Sequence, residues 1–395
     1  MIRFRFRFRF RLNMAFSTFD EHCMARAIEL AKQGLYSAKP NPAVGCVLAK
    51  EGVIIAEGWH QQAGLPHAER VALANAQKAG ISTQDCTAYV TLEPCSHFGR
   101  TAPCADSLVE AGVARVVVAM QDPNPLVAGQ GIEKLESAGI EVETGLMQDE
   151  AKAINPGFIT KMETQLPFVR LKMASSLDGR TAMESGESYW ITGEESRVEV
   201  HKMRARCGAL ITGIGTVLAD DPSLTVRLSD EQLAQMNLTE ENCHPIRVVL
   251  DPNLSMPLDA KMLSLPGRTI LMTSRETAEL NPSVVETIHN QGVEMVAVSA
   301  DSDRLDIESI LRYLAHEENV TEVMVESGAI VAGAFIQSGY VNEVHSFIAP
   351  SLMGHAAKPL FVLPGIESMD DKIQLQIQSV DRFGEDIRLV LTPKG

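Results

Sequence analysis

Between residues 67 and 104 the chain carries His67-Ala-Glu69, then Pro94-Cys95, then Cys104. One imidazole, two potential thiolates and one carboxylate can act together only if the intervening chain folds back on itself, and the flanking patterns say how. His67 and Glu69 open HAERVALANAQKAG, with Ala68, Val71, Ala72, Ala76 and Ala79 at helical spacing. Ahead of Cys95, TAYVTLEP is rich in strand formers and is stopped by Pro94. After Cys104, ADSLVEAGVARVVVA returns to helical spacing at Ala105, Leu108, Val109 and Gly112. The three potential ligands therefore fall at or near the starts of two helices, where the helix dipole favours thiolate over thiol.

His67, Cys95 and Cys104 can hold a metal ion, and Glu69 can move protons. That is the residue inventory of a zinc-dependent deaminase, in which the metal activates water and a non-ligand Glu shuttles the proton. A closed structural zinc site, with His97 as fourth ligand, is the alternative. Glu69 favours the open site, because a site closed by four protein ligands has no work for it.

The rest of the composition narrows the class. At 395 residues the chain has room for two domains. A formal net charge of −16 disfavours a nucleic-acid backbone as partner, since such binding draws on clustered Lys and Arg. A small anionic substrate is compatible if a few Arg residues are placed locally. The seven cysteines show no disulfide framework. Cys23, Cys46, Cys86, Cys207 and Cys243 read as reduced thiols, which suits a cytoplasmic protein. No stretch approaches the roughly 18 apolar residues of a membrane span, so no membrane partner is expected. The opening MIRFRFRFRFRL alternates cations and rings and is not a secretory signal. It reads as an unstructured tail, or as an upstream start with Met14 the functional one, and is set aside over residues 1–18.

Along the chain, FDEHCMARAIELAKQ reads as a helix, KPNPAVG as a turn, and CVLAK and VIIAEG as strands around Glu51-Gly52. The ligand helices and strands follow, then a helix in AGQGIEKLESAG and a strand in IEVETG, so 19–150 is an alternating α/β domain. Residues 151–167, polar and with Pro156, Gly157 and Pro167, read as a linker. FVRLKMA opens a second α/β series over 168–395, with strands in CGALITG, IRVVLD, TILMTS, VEMVAV, EVMVESG and VNEVHSFIAP.

Over residues 20 to 393 the chain resembles the bifunctional deaminase–reductases of riboflavin biosynthesis. In the first half the resemblance rests on PNPAVGCV, PHAE, TLEPCSHFGRTAPC and QDPNPLVAGQGI. In the second it rests on KMASSLDGRTA, Gly-Glu-Ser-x-Trp-Ile-Thr at 186–192, GTVLADDPSLTVR and VESGAIVAGAF. The spacing discriminates: nucleoside and tRNA deaminases usually pair their cysteines as Cys-x-x-Cys, whereas here eight residues, SHFGRTAP, separate Cys95 from Cys104.

For the fold, the resemblance implies an α/β chain of two domains. The N-terminal one is cytidine-deaminase-like, a three-layer α/β/α domain; the C-terminal one is a dihydrofolate-reductase-like α/β domain. For function, it implies zinc-dependent deamination of a diaminopyrimidinone ribotide, then NADPH-dependent reduction of its ribosyl group to a ribityl chain. His67, Cys95 and Cys104 would be the zinc ligands and Glu69 the proton shuttle. Asn41 is a candidate hydrogen-bond partner for the ring, or simply turn chemistry between two prolines.

In the second half, the family's NADPH contacts fall on Ala174, Trp190, Thr216, Asp220, Pro252 and Gly328, Ala329, Ile330, Val331, Ala332, Gly333 and Ala334. Its substrate contacts fall on Ser188, Arg204, Leu224, Arg227 and Glu326. Gly213-Ile-Gly215 alone is a bare GxG and weak as a nucleotide signal. The two arginines suit a ribose 5′-phosphate.

Lys172, in the apolar strand LKMA, is the candidate for stabilising or protonating the substrate during ring opening, ahead of Asp178 and Glu326; a salt-bridged structural lysine is the other reading. One departure is visible: Glu326-Ser327-Gly328 stands where the family usually reads Glu-Gly-Gly or Glu-Ala-Gly. A homo-oligomer, dimer or tetramer, is expected. The alternatives are a monofunctional deaminase whose second domain only binds ligand or dimerises, a zinc-stabilised scaffold, and an RNA-editing deaminase. The motifs around Trp190, Arg204 and Glu326, the presence of Glu69, and the charge and cysteine spacing argue against them in turn.

Overall fold

The computed structural model describes residues 16–96, 103–125, 127–301 and 304–394. His97 and the Arg/Phe tail up to residue 15 lie outside them. Two compact units emerge: one runs up to Gly34 and then over Ala43–Ile154, the other comprises Leu35–Pro42 and the chain from Asn155 onwards.

The first unit contains α1 (Thr18–Lys32), β1 (Gly45–Lys50), β2 (Val53–Trp59), α2 (Ala68–Lys78), β3 (Thr87–Val90), α3 (Cys104–Glu110), β4 (Arg115–Val118), α4 (Gln130–Ser137), β5 (Glu141–Thr144) and α5 (Gln148–Ile154). Its sheet runs β2-β1-β3-β4-β5. β1 pairs antiparallel with β2 and β3, while β3, β4 and β5 are parallel. Successive residues of a strand face opposite sides, and β1 shows the consequence. A Cβ on Gly45 would lie 1.9 Å from the Ala27 carbonyl oxygen of α1. Cys46 and Leu48 instead pack with Ala68, Ala72 and Ala76 of α2, Ala105 and Leu108 of α3 and Leu135 of α4. Helices thus cover both faces, giving the three-layer α/β/α arrangement. Ser17 caps α1 in a reciprocal box with Asp20, so Ser17 and Thr18, set aside with the tail from sequence, belong to the helix start.

The second unit opens with α6 (Pro156–Thr164), β6 (Phe168–Ser176), β7 (Arg180–Ala182), α7 (Glu194–Arg206), β8 (Ala209–Gly213), α8 (Ile214–Asp220), α9 (Asp230–Gln235), β9 (Ile246–Leu250), β10 (Thr269–Ser274), α10 (Arg275–Leu280), α11 (Pro282–Asn290) and β11 (Glu294–Val298). It continues with β12 (Ala300–Asp301), β13 (Arg304–Leu305), α12 (Ile307–His316), β14 (Glu322–Glu326), α13 (Ala329–Gln337), β15 (Glu343–Ala349), β16 (Lys358–Pro359), β17 (Leu375–Phe383) and β18 (Asp386–Pro393).

The main sheet runs β11-β10-β9-β8-β14-β6-β15-β18-β17. The strands from β11 to β15 are parallel, and β18 and β17 add an antiparallel hairpin. One face carries Val169, Leu171, Ile211, Val323 and Val325; the other carries Leu210, Val249, Leu271, Met324 and Phe347. Burial of both faces explains why β8 and β10 are apolar without alternation.

Strand order reverses around β14: the chain leaves β8 outward to β11, then returns to insert β14 between β8 and β6. Crevices at the carboxyl ends of such strands are where open α/β sheets bind ligands. The stretch expected as a linker is helical as α5 and α6, because Pro156 starts α6 at its first turn and Ala151, Ile154 and Gly157 are buried. Among the described residues no helix is long and apolar enough to cross a membrane.

Candidate active sites

In the first unit, His67 is the N-cap residue of α2 and Cys104 opens α3. The His67 Nδ1 atom lies 3.7 Å from Cys95 Sγ and 3.4 Å from Cys104 Sγ. The Cys104 N–H donates to Cys95 Sγ at 3.2 Å. The ligand atoms of all three residues lie within 4.8 Å of one another. Their charges ask for a cation. Cys95 is held well below the usual thiol range, because the Cys104 thiol and His67 face it. Cys104 is pushed far up by its hydrogen bond to Cys95 and by burial. Hydrogen bonding to Cys95 raises His67. Only one sulfur can be ionised without help, and a dication between the two removes the conflict. One imidazole and two sulfurs converging in this way suit Zn2+ with an open position.

Glu69, in the first turn of α2, is 3% exposed, and burial raises its carboxyl to about 6. A carboxyl poised there can both take and return a proton near neutrality.

Glu93, which sequence reasoning passed over, organises the loop beside the site. Its Oε2 accepts from the N–H groups of Asp122 and Gly129 at 3.1 and 3.0 Å, and its Oε1 from Gly131 and Ile132 at 2.9 and 3.3 Å. It sits in TLEPC, two residues before Cys95, so the signal was a carboxylate in a strand-ending turn with no cationic neighbour. Asn41 closes a turn, its N–H donating to Ala38 O at 3.0 Å, in the 35–42 segment that packs with the second unit. Nearby Lys39 donates to Ala205 O and Cys207 O at the end of α7.

In the second unit, parallel pairing sets Glu326 of β14 beside Lys172 of β6. Lys172 Nζ lies 3.3 Å from Glu326 Oε1. Arg204 of α7 grips the same carboxylate bidentately, Nε to Oε2 and Nη2 to Oε1 at 2.9 Å each, and donates to Thr225 O at 2.9 Å. Burial alone would raise Glu326, but the Arg204 and Lys172 cations outweigh it and hold its carboxyl well below the usual range. Two cations share one carboxylate, so the cluster is net positive.

Arg204 differs from the expectation: at 8% exposure it serves as an internal clamp rather than an open phosphate ligand. Arg227 is the exposed cation, forms none of the ion pairs among the described residues, and has its main chain fixed by an N–H donated to His201 Nδ1 at 3.2 Å. Burial and the facing arginines lower His201 to about 4, so the ring is the neutral acceptor this bond needs. His201 was missed because one histidine in a charged helix carries no pattern. The Leu224 side chain is buried in the core with φ +48, so what it offers a substrate is main chain.

The candidate cofactor residues gather at the switch point. Gly328 caps α13 and donates its N–H to Thr216 Oγ1 at 3.2 Å, joining the starts of α13 and α8. Ser188 Oγ donates to Asp220 Oδ1 at 3.3 Å, and the Tyr189 hydroxyl to Asp220 O at 3.0 Å. Trp190 is 66% exposed, with the Arg197 guanidinium 4.6 Å from its ring centroid. Ala174 shares a β6 face with Lys172, and the Pro252 carbonyl accepts from Thr273 beyond β9. The starts of α8 and α13, joined by the Gly328–Thr216 bond, and an exposed indole suit a dinucleotide.

The 328–334 run divides by helix face. Gly328, Ala329, Ile330 and Val331 form the accessible first turn. Ala332 is wholly buried, and a Cβ on Gly333 would lie 1.9 Å from Val362 O. Those two are corrected from cofactor contacts to residues whose side-chain space seats the helix; Ala334, half-buried, follows them around the same turn.

Residues 17–120 match the family described as the cytidine and deoxycytidylate deaminase zinc-binding region, and residues 167–389 match the RibD C-terminal domain. The riboflavin biosynthesis protein RibD of Escherichia coli is 44% identical over 94% of this chain and 99% of its own length. That of Aquifex aeolicus is 39% identical over 93% and 97%. The solved structure of Acinetobacter baumannii RibD, form 1, superposes with a TM-score of 0.85 at 44% identity, covering 95% of this chain and 99% of that one. The two domains use Zn2+ and NADPH respectively, and the monofunctional alternative is not favoured. The chain belongs to the RibD family, the bifunctional deaminase–reductases of riboflavin biosynthesis.

Proposed function

We propose that this chain deaminates 2,5-diamino-6-(5-phosphoribosylamino)pyrimidin-4(3H)-one in its first unit. Its second unit then reduces the product to 5-amino-6-(5-phosphoribitylamino)uracil. The observation that carries the reading is the convergence of His67, Cys95 and Cys104 beside buried Glu69. A Thermotoga maritima relative at 37% identity and TM-score 0.81 is described as a diaminohydroxyphosphoribosylaminopyrimidine deaminase/5-amino-6-(5-phosphoribosylamino)uracil reductase, which supports the substrate.

His67, Cys95 and Cys104 hold zinc, which when bound brings the pKa of its water towards about 7. Glu69 takes a proton from the attacking water and returns it to the departing amine. The ring carbon gains oxygen and ammonia leaves.

In the second unit the residues at the starts of α8 and α13 would hold NADPH, whose chemistry there would be hydride donation to C1′ of the ribosyl group. Lys172 delivers the proton the opening ring oxygen requires, and Glu326 holds its Nζ in place. Arg227 takes the 5′-phosphate over the positive field of the Lys172–Glu326–Arg204 cluster. Ser188 and the Leu224 main chain border the substrate. Trp190, Thr216, Asp220, Ala174, Pro252 and the first turn of α13 border the cofactor.

A homo-oligomer of two or four chains in the cytoplasm completes the reading; exposed Leu177 and Leu352 support association, and cysteines that are all free support a reducing compartment. The test is an assay on the ribotide that follows ammonia and NADPH separately. Stoichiometric ammonia followed by NADPH oxidation is expected. Ammonia without NADPH consumption would leave only the deaminase.

A further inference from the structure

The helix α7 is strongly polar, and Gly193 at its N-cap gives it no side-chain cap of its own. The missing cap comes from the far end of the chain. Asp386, the first residue of β18, accepts from Gly193 N–H at 2.7 Å and from Ser196 Oγ–H at 2.6 Å, both on Oδ2. Asp386 is 3% exposed and Ser196 fully buried. A buried carboxylate on a helix N-terminus makes short, charge-assisted bonds and complements the dipole. The same hairpin holds the next turn, with Arg388 Nη1 2.8 Å from Glu199 Oε1.

What α7 carries explains why its placement matters. Arg197, His201 and Arg204 stand at i, i+4 and i+7, on one face. Arg197 donates to Thr192 O at 2.8 Å and lies over Trp190. His201 fixes the Arg227 main chain, and Arg204 clamps Glu326. A helix moves as a rod, so a shift at its first turn reaches all three. Misplacement of about 1 Å can cost on the order of 100-fold in rate.

We propose that Asp386 is a positioning residue of the reductase site: through Gly193 and Ser196 it sets α7, and α7 in turn sets Trp190, Arg227 and Glu326 together. This rests on the reading of those three residues as cofactor and substrate contacts. It differs from a purely structural role because the carboxylate oxygen, not the charge, defines the helix position. Asn at 386 can present its amide oxygen to the same two donors, whereas Ala cannot.

The test uses the whole zinc-loaded enzyme and compares Asp386→Ala, Asp386→Asn and Ser196→Ala. Ribotide and NADPH are varied separately, and ammonia release in the same preparation serves as internal control. In the Ala variant, the reductase kcat/KM for the ribotide is expected to fall by up to about 100-fold, shared between a higher KM and a lower kcat. Ammonia release stays at wild type, and the Asn variant returns to within about threefold. The chain has two tryptophans, so in a Trp59→Phe background the fluorescence and acrylamide quenching of Trp190 report the loop directly. They should shift with Ala and recover with Asn.

If the Ala variant does not fold, Ser196→Ala, which leaves the carboxylate on Gly193, must show the same pattern at smaller amplitude. Wild-type reductase kinetics in Ser196→Ala or a foldable Asp386→Ala overturn the proposal. So does a loss that tracks only the folded fraction, with KM unchanged, or an Asn variant as impaired as Ala. If instead KM and Trp190 signals move as expected but Arg227→Gln leaves ribotide binding intact, the positioning stands and the phosphate assignment falls.

Discussion

The deaminase and reductase centres are built from opposite materials. The first gathers His67, Glu69, Cys95 and Cys104 from two helix starts and one turn, and the three ligands converge on a single point. The second draws Lys172, Arg204 and Glu326 from two strands and a helix far apart in sequence, and these groups satisfy one another. A centre completed by a metal leaves its ligands electrostatically unsettled until the ion arrives, as the opposed shifts of Cys95 and Cys104 show. A centre completed by ion pairs is settled in advance, and each member stabilises as well as positions. Mutations should therefore separate chemistry from stability in the first unit and entangle them in the second.

The largest effect is expected at Glu69. Glu69→Gln keeps the shape of α2 and removes the proton carrier, so deamination should fall by about 10³-fold. Metal content, measured by atomic emission, should stay at one zinc per chain, and reduction of the deaminated substrate should be unchanged. Loss of zinc in this variant would make Glu69 a ligand and erase the distinction between the open and closed site.

Next comes Lys172→Ala, expected to lower reductase kcat by about 10²-fold while ammonia release continues. Full NADPH oxidation would reduce Lys172 to a salt-bridge partner of Glu326.

Glu326→Gln tests the entanglement. It leaves Arg204 and Lys172 facing a neutral amide, and breaking a buried pair costs about 3 kcal/mol. Denaturant titration at pH 7 should show that loss in the reductase transition alone. The sign with pH follows from the depressed carboxyl. Its stabilisation is fully present above the unfolded value of about 4 and is lost as pH falls towards the lower folded value. The gap between wild type and variant should therefore narrow steadily below about pH 4. A constant gap would mean that packing, not charge, holds the cluster.

The same contrast governs what the sequence alone discloses. His67, Glu69, Cys95 and Cys104 were legible because metal chemistry admits few residue types and because helix starts and strand ends leave marks in sequence. The parallel strands β8, β10 and β14 were legible because burial on both faces makes them continuous apolar runs. The pairing of Glu326 with Lys172 was not, since it depends on β14 inserting between β8 and β6 after a long excursion. The inward face of α7 was hidden for a related reason: its buried residues include Ser196, His201 and Arg204, so it has no apolar stripe to read. The β17–β18 hairpin lies at the sheet edge, where much of β17 is exposed, and the strand reading did not include it. Asp386 was lost with it.

The smallest expected effect sharpens the reductase side of the comparison. Ser327 stands where the family usually has Gly or Ala, between the clamped Glu326 and the Gly328 that caps α13. Its hydroxyl lies 3.5 Å from the Gly328 carbonyl, a marginal contact, and its side chain is only half-buried. Neighbouring anchors fix this turn without it: Glu326 is held by Arg204 and Lys172, and Gly328 N–H is bonded to Thr216. Ser327→Gly therefore removes no bond on which the turn depends, although it adds backbone freedom to the unfolded chain worth a few tenths of a kcal/mol. The KM for NADPH is expected to stay within about twofold of wild type, with the thermal midpoint slightly lowered. A tenfold change in KM would show that the cofactor turn takes its shape from residue 327 itself, and that the ion pairs around Glu326 do not settle the site as fully as their geometry indicates.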